Sequence, residues 1–414
     1  MTTLSTPPAR SASAQATGPV ASGGGLGSAA LDLLRRREVQ LLLAILGLFA
    51  ICTALHPQFG ASSNIAFILA DSVTIMIVAV GQTMVVLGRG IDLSVSPMLG
   101  IAAVCIGFPA SSNNLNIWLA LLFVLLIGTA LGIGNGFLVA VIGIPPIIAT
   151  LATLTIYGGL QFIICGGLSV INIPAVYTNF GAANLLPGVP WLIVIGVGVV
   201  VLAYLFLTRT VTGRSVYAVG NNAEGAFRAG VPVRRVLFTT YVISGFLAGL
   251  AGLMYLCQIG SATSTSGSDG NTNLMSIAAT LIGGTTLLGG RGGPIGSALG
   301  AVFLSEALQA MISFRINEIW DPAGVGVLIL IAVVADRKGA PVRQLFRQPF
   351  RPQPARAVKP GTTAQIGLRW PDHPRKRCRD QGELDSPKHQ FARSERHLFD
   401  AIFSQPVASV GDVR

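Results

Sequence analysis

Residues 117–139 read IWLALLFVLLIGTALGIGNGFLV, a run without a single charged side chain. An apolar helix needs about 20 residues to cross the hydrocarbon of a membrane, so this run is long enough to span it. Comparable apolar runs occupy 39–55, 65–87, 94–110, 146–165, 190–208, 236–258, 274–288, 294–312 and 323–335. The sequence therefore predicts an all-α integral membrane protein of about ten transmembrane helices. The eighth and tenth runs are short, and Pro97 interrupts the third.

The composition agrees with a membrane protein and excludes two other classes. The 414 residues are 51% hydrophobic and only 11% charged, whereas soluble domains carry roughly 25% charged residues. An ordinary soluble enzyme and a disordered protein are both excluded. The net charge of +11 is concentrated at one end, because residues 336–414 hold 16 basic and 8 acidic side chains. This pattern indicates a nearly neutral membrane body with a basic end, and not a nucleic-acid-binding protein.

The distribution of arginines predicts the orientation. With the N-terminus inside and ten alternating spans, the outer loops hold only Arg315, and basic residues favour the cytoplasmic side. The inner loops hold Arg35, Arg36, Arg37, Arg89, Arg209, Arg214, Arg228, Arg234, Arg235 and Arg291. We therefore predict a disordered cytosolic leader over 1–37, a transmembrane domain over 38–336, and a basic, disordered cytosolic tail over 337–414, with both termini cytosolic.

Asp92 and Ser94 stand at the start of the third span, directly after Gly90. Such side chains accept hydrogen bonds from the free N–H groups of a helix start, and glycine allows a tight turn before it. We expect Arg89 to neutralise Asp92. The capping interpretation is favoured over a role in transport.

The largest predicted inner loop, 209–235, contains a short helix signal. Asn221 or Asn222 is a suitable N-cap, Gly230 fits the position after the helix, and Glu224 can pair with Arg228 four residues later. A capped, charged helix between two spans is suited to docking another protein. An ordered loop without a partner is the alternative.

The glycine-rich stretch 283–294 does not bind phosphate by the P-loop mechanism. That motif needs Gly-Lys followed by Ser or Thr, and none of the four lysines here follows a glycine. Small residues let helices approach closely in a membrane, so we expect tight packing around a turn. The turn residues are Gly289, Gly290, Arg291 and Gly292.

Four polar side chains inside the spans are candidates to line a pathway, because such groups are costly in hydrocarbon and usually face a cavity. They are Asp71, Gln82, Asn135 and Glu306. Hydrogen bonding between helices is the alternative for each. The sequence offers no catalytic constellation and no cluster with metal-ligand spacing, and the cysteines are read as packing residues.

In these polar and glycine-rich segments the sequence resembles the membrane permease subunits of bacterial ABC importers for ribose and related monosaccharides such as xylose, galactose and inositol-like solutes. The resemblance covers roughly residues 38–336. It rests on GQT at 81–83, GIDLSV at 90–95, GNG at 134–136, IPPIIATL at 144–151, GR at 213–214, NAE at 222–224, GVP at 230–232, GGT at 283–285 and GGRG at 289–292. One departure is Arg89-Gly90, where the family commonly has two glycines.

The resemblance implies an ABC importer permease fold and a transport subunit that is not an enzyme. A separate ATPase would bind ATP and Mg, so no cofactor is expected in this chain. A periplasmic or lipid-anchored sugar-binding protein would deliver the solute, and a second permease chain, in most cases an identical one, would complete the pathway in the bacterial cytoplasmic membrane. The ATPase-coupling loop would contain Arg214, Asn221, Asn222, Glu224, Arg228 and Gly230.

Three other functions are alternatives for this sequence. A permease of the same superfamily for nucleosides or branched-chain amino acids differs only in its cavity. An ion-coupled secondary carrier needs intramembrane charged relays, for which only Asp71 and Glu306 are present. A membrane-embedded enzyme needs catalytic groups that the predicted body, with His56 as its one histidine, does not offer.

Overall fold

The computed structural model describes residues 37–113, 115–186, 189–268, 271–320, 322–328 and 330. The predicted leader (except residue 37) and the predicted tail lie outside the described residues, as do residues 329 and 331–335 of the last predicted span, 323–335. The described part is almost entirely helical.

Twelve α-helices follow one another between residues 37 and 313, and the described residues 322–328 are also helical. They are α1 (Arg37–Leu55), α2 (Ser62–Leu87), α3 (Val95–Asn113), α4 (Ile117–Gly136), α5 (Pro146–Cys165), α6 (Ala175–Ala182), α7 (Trp191–Arg209), α8 (Val211–Asn221), α9 (Ala223–Arg228), α10 (Val233–Ile259), α11 (Thr272–Ile282) and α12 (Pro294–Ser313). A π-helical turn, Phe137–Ile142, continues α4. The strands β1 (Asn184–Leu186) and β2 (Val189–Pro190) pair antiparallel in a small ribbon.

Eight helices among the described residues are long and apolar enough to cross a membrane. They coincide with the first seven predicted spans and the ninth. The eighth predicted span, 274–288, is shorter than expected, because α11 ends at Ile282 and Gly284 takes a left-handed conformation with φ +88°. Pro97 does not interrupt the third span. It lies in the first turn of α3, where its missing N–H has no partner within the helix in any case.

The helices divide into central and peripheral ones. Most of α2, α3 and α10 is buried, whereas α1, α4, α5 and α7 expose most of their apolar surface. Ile163 on α5 and Leu202 on α7, for example, are 75% and 68% exposed. Contiguous apolar surface of this kind marks a face that does not meet water. These outward faces are suited to contact with lipid.

A seam of glycines joins α4 and α10. A methyl group on Gly245 would lie 2.6 Å from Cα of Gly132 and against the carbonyl oxygen of Gly128. A methyl group on Gly249 would lie against the carbonyl of Val124. The spacing of four residues on both helices places these glycines on one face, and their small size lets the two backbones touch.

The polar segment that follows α10 folds back into the bundle. Ala262 pairs with Val170 and lies beside Gly107 of α3, while the carbonyl of Gly267 accepts a hydrogen bond from Ser96 Oγ at 2.5 Å. Residues 262–267 therefore run antiparallel along α3 towards its first turn. Gln161 of α5 holds the segment in place by donating to the carbonyls of Thr263 and Ser266, both at 3.1 Å.

Candidate functional site

The turn between α2 and α3 carries a buried polar network centred on Asp92. Its Oδ1 accepts hydrogen bonds from the backbone N–H and the hydroxyl of Ser94, at 3.1 and 2.7 Å. Its Oδ2 accepts from Ser244 of α10 at 3.1 Å. Asn135 of α4 donates to Ser94 Oγ at 2.6 Å and to Asp92 at 3.4 Å. Asp92 therefore holds the turn before α3 and joins that turn to α4 and α10. The predicted cap is not formed in the expected way, because the N–H that Asp92 accepts from belongs to Ser94, one residue before α3 begins.

The backbone of the same turn is held from two further helices. With its amide oriented to suit its neighbours, Gln82 of α2 donates to the carbonyl of Asp92 and accepts from its N–H, at 3.1 and 3.2 Å. Thr150 of α5 donates to the carbonyl of Ile91 at 3.0 Å. Burial raises the pKa of the Asp92 carboxyl above its usual value, and the hydrogen bonds it accepts act in the opposite direction.

The expectation that Arg89 neutralises Asp92 is wrong. The guanidinium group points away from the carboxylate: Nε donates to the carbonyl of Gly220 and Nη2 to that of Asn221, both at 2.7 Å. Asp92 is satisfied by neutral donors instead. Local sequence adjacency suggested the ion pair, but the left-handed backbone of Arg89, φ +67°, sends its side chain towards α8.

The four candidate pathway residues separate into two groups. Gln82 and Asn135 belong to the network around Asp92 and are fully buried. Asp71 of α2 lies beside Ser305 of α12, the residue before Glu306. Glu306 is 2% exposed, and neither of its carboxylate oxygens has a hydrogen-bond partner among the described residues.

The predicted short helix is present as α9, directly after α8. Asn222 is its N-cap, with the side-chain oxygen accepting from Gly225 N–H at 2.9 Å. Gly230 follows the helix with φ +82°, and the N–H of Val231 bonds back to the carbonyl of Ala226 at 3.0 Å. Both predicted ends are confirmed, since a left-handed glycine is the usual way to close a helix.

The surface of α9 carries an ion pair and an apolar side chain. Glu224 and Arg228 are 75% and 77% exposed and bond to each other at 2.5 Å. Phe227 between them is 71% exposed. An exposed ion pair contributes at most about 0.5 kcal/mol to a helix. These side chains therefore do little for the fold and are available to a partner.

Helix α8 is fixed to the bundle where α2 ends. A methyl group on Gly220 would lie against the carbonyl of Leu87 and 2.6 Å from the backbone nitrogen of Gly290. The N–H of Gly290 in turn donates to the carbonyl of Leu87 at 3.0 Å. We call this meeting of the α2 end, the α8 end and the glycine-rich turn the α8 junction.

Side chains reinforce the α8 junction. Tyr217 donates to the carbonyl of Gly292 at 3.0 Å, and Asn221 to that of Gly290 at 3.4 Å. Burial raises the pKa of the Tyr217 hydroxyl above its ordinary value. Arg214 binds the carbonyls of Thr208 and Arg209, at 3.4 and 3.1 Å, at the corner between α7 and α8.

The predicted glycine-rich turn is confirmed around residues 283–293. Gly289, Gly290 and Gly292 have φ values of +79°, +72° and +130°, and the carbonyl of Arg291 accepts from Thr286 N–H at 3.0 Å. The expected tight packing is also present: Gly283 of this turn and Gly296 of α12 leave no room for a methyl group on either.

Three features of the site were not anticipated from the sequence. These are the bonds of Ser244 and Thr150 to the turn, and the link from Arg89 to α8. The first two come from single hydroxyls within apolar helices, a signal that is present throughout the chain. The third had a local signal. The sequence RGID at 89–92 offers one glycine for the turn, and Arg89 beside it takes a left-handed conformation.

Comparison with known proteins agrees with this architecture. A family model described as "Branched-chain amino acid transport system / permease component" matches residues 64–333. The autoinducer 2 import system permease protein LsrC of Enterobacter sp. (strain 638) is 35% identical over 73% of this chain and 88% of its own length. LsrC of Salmonella typhi is 35% identical over 80% and 93%, and that of Escherichia coli (strain K12 / DH10B) 33% over 80% and 96%. No solved structure matches significantly.

The fold and these relatives define a multi-pass permease of the bacterial inner membrane, a transport component and not an enzyme. The chain belongs to the permease family of ABC importers that its matched family model describes, and within it to the sugar type to which the LsrC proteins belong. Membership of this family implies an ATPase partner and a substrate-binding partner.

Proposed function

We propose that this chain forms the translocation path for a monosaccharide, ribose-like in size and polarity, as one of two copies in a homodimer. Its partner ATPase binds ATP and Mg, and the chain itself holds no cofactor. We infer ten spans with both termini cytosolic. This orientation places α8 and α9, residues 211–228, on the ATPase side, and we call these two consecutive helices the α8–α9 hairpin. The predicted excess of arginines in the inner loops supports this orientation.

One observation carries the proposal: α9 is capped at both ends, exposes Phe227 and the Glu224–Arg228 pair, and adjoins α8, which is fixed to the bundle. A rigid, exposed element at one end of a membrane bundle is suited to receive a mechanical input. We assign ATPase contact to α9 and its flanking residues, namely Arg214, Asn221, Asn222, Glu224, Arg228 and Gly230.

The proposed solute path is lined by polar side chains within the bundle. Asp71, Gln82, Asn135 and Glu306 are polar groups within the bundle, and such groups can bind hydroxyls of an uncharged sugar during its passage. The bonds of Gln82 and Asn135 to the Asp92 turn favour a structural role for those two. We therefore place the stronger weight on Asp71 and Glu306.

Two other solutes are supported by the comparisons. The relatives with 33–35% identity are permeases of autoinducer 2 import systems, and the family model is described by branched-chain amino acid transport. Nucleosides are a further alternative within the superfamily. Uptake must therefore be measured for a panel that contains ribose, autoinducer 2, leucine and a nucleoside.

The decisive experiment measures uptake in cells that express this chain with its ATPase and its binding protein. We expect ATPase-dependent uptake of one sugar in the wild type and loss of that uptake in Glu224→Arg, with the protein still inserted. Glu224→Gln removes only the exposed ion pair, so we expect near-normal uptake.

A charge swap separates docking from helix stability. The double variant Glu224→Arg with Arg228→Glu restores an ion pair within α9 but reverses the surface that a partner meets. Docking predicts that uptake stays low, whereas a purely intrahelical role predicts recovery. Uptake by the wild type without the ATPase would refute the importer mechanism, and uptake of leucine or a nucleoside but no sugar would refute the proposed solute.

A further inference from the structure

Arg89 has an unfavourable backbone conformation, and its side chain binds the end of α8. Its φ of +67° lies in the left-handed region, which glycine adopts readily and which costs other residues free energy. Residues held in such conformations persist when their surroundings fix them, and they concentrate at functional positions. The conformation alone assigns no role, but the contacts of the guanidinium group do.

Those contacts close the end of α8. The carbonyls of Gly220 and Asn221 belong to the last two residues of the helix, whose closing carbonyls have no partner within the helix. Arg89 binds both at 2.7 Å, through Nε and Nη2. A planar guanidinium fork can bridge two acceptors in a way that the single ammonium of lysine cannot reproduce. The positive charge also suits the negative end of the helix dipole.

The backbone around Arg89 leaves little freedom for independent movement. Gly220 touches the carbonyl of Leu87, two residues before Arg89, and Gly290 donates to that same carbonyl at 3.0 Å. A methyl group added to Gly289 would lie 2.6 Å from Cγ of Arg89, so Gly289 and the Arg89 side chain are in close contact. The end of α8 and Arg89 are therefore joined by hydrogen bonds and by backbone contact.

On its other side, Arg89 is three residues from Asp92. That residue is bonded to Ser94 at the start of α3, to Asn135 of α4 and to Ser244 of α10. The short turn from Arg89 to Asp92 thus connects α8 with a network that reaches three membrane-spanning helices. Coupling of two sites requires an element whose arrangement both sites influence, and this turn contacts both.

We propose that Arg89 is a positioning residue that transmits displacement of the α8–α9 hairpin to the Asp92 network, and so makes ATP hydrolysis by the partner productive for transport. The inference rests on the proposed function of α9 as the ATPase contact. It adds the residue through which that contact reaches the membrane-spanning helices.

The test uses the full complex of permease, ATPase and binding protein, reconstituted in lipid vesicles. Two readouts are taken: labelled solute transported per ATP hydrolysed, with ribose and autoinducer 2 as probes, and stimulation of ATP hydrolysis by the solute-loaded binding protein. Arg89→Gly removes the fork but suits the left-handed backbone, Arg89→Lys keeps the charge, and Arg235→Ala removes an exposed arginine of α10 as the matched control.

For Arg89→Gly we expect both readouts to fall about fivefold or more, a typical size for coupling between sites. The melting temperature should change little, because relief of the left-handed backbone offsets the loss of the two hydrogen bonds. Arg89→Lys should be intermediate and Arg235→Ala equal to the wild type. A merely structural role predicts that any fall in the two readouts accompanies a fall in melting temperature, because the variant loses two hydrogen bonds to α8.

Wild-type coupling in Arg89→Gly would overturn the inference. If that variant does not assemble with the ATPase, Arg89→Lys decides, and wild-type coupling there would equally overturn it. Failure of the proposed solute has a different signature: the wild-type complex then transports neither probe, and the same two readouts are taken with leucine or a nucleoside, whichever the wild type transports.

Discussion

The carboxylate of Asp92 accepts a hydrogen bond from the hydroxyl of Ser244 at 3.1 Å, across a separation of 152 residues. Asp92 is fully buried and Ser244 is 1% exposed. One atom pair therefore ties the turn before α3 to the middle of α10, the longest helix described. The turn depends for its position on a residue that no local pattern links to it.

Replacement of Asp92 by alanine should destabilise the protein strongly. It leaves the buried donors of Ser94 and Ser244 without their acceptor, and each such group costs about 1–3 kcal/mol. Asn135 loses its longer bond and keeps the one to Ser94. Asp92→Asn keeps one carbonyl oxygen as acceptor and should lose less. Thermal unfolding of the two purified variants in detergent tests this order, and equal melting temperatures would contradict it.

The glycine seam between α4 and α10 should not tolerate a methyl group. Gly245→Ala brings Cβ against Gly128 and Gly132 backbone atoms, so we expect a loss of about 1–3 kcal/mol from overpacking. Gly198→Ala is the matched control, because nothing lies within 4 Å of the added carbon on α7. The melting temperature of the control should equal or exceed that of the wild type, and a comparable loss in both would exclude the seam as the cause.

Loss of the N-cap of α9 should reduce uptake, although the cap residue Asn222 lies on the exposed surface. Asn222→Ala removes the bond to Gly225 N–H, which costs about 1 kcal/mol of helix stability. Because α9 has only six residues, this loss lets the helix fray, and we expect reduced uptake. Asn222→Asp retains the cap and should keep most of the activity. Equal uptake in the two variants would argue against any need for an ordered α9.

The end of α9 offers a test of backbone conformation without a steric clash. Gly230 has φ +82° and no atom within 4 Å of an added methyl group. Gly230→Ala should therefore destabilise the end of the helix by about 1 kcal/mol through strain alone, and Gly230→Asn by less. Trypsin cleavage after Arg228 in the purified protein measures this local opening. We expect faster cleavage in the alanine variant, and an unchanged rate would disprove the strain argument.

Local and periodic features could be predicted from the sequence. The spans follow from runs of apolar residues, and the ends of α9 follow from Asn222 and Gly230, whose conformational preferences act within one turn. The bond between Asp92 and Ser94 is similarly local, since the two residues are two positions apart. Each of these signals needs no knowledge of the tertiary structure.

Long-range partners could not be predicted in the same way. The hydroxyls of Ser244 and Thr150 resemble many others in apolar helices, and only the folded bundle selects them. The composition of segment 262–267 gives no signal of burial, because serine and threonine are typical of solvated linkers. In the structure Ser266 and Gly267 are buried along α3, where backbone and side-chain partners satisfy their polar groups.

The glycine seam has a mechanical consequence. Interlocked side chains oppose sliding between helices, because each must leave its hole before it can enter the next. Where Gly128, Gly132, Gly245 and Gly249 meet, the surfaces present only backbone, and the ridges are low. Sliding of α4 against α10 by small steps would therefore meet less steric resistance at this seam than between interlocked side chains, and shear of packed helices is one way in which proteins change state.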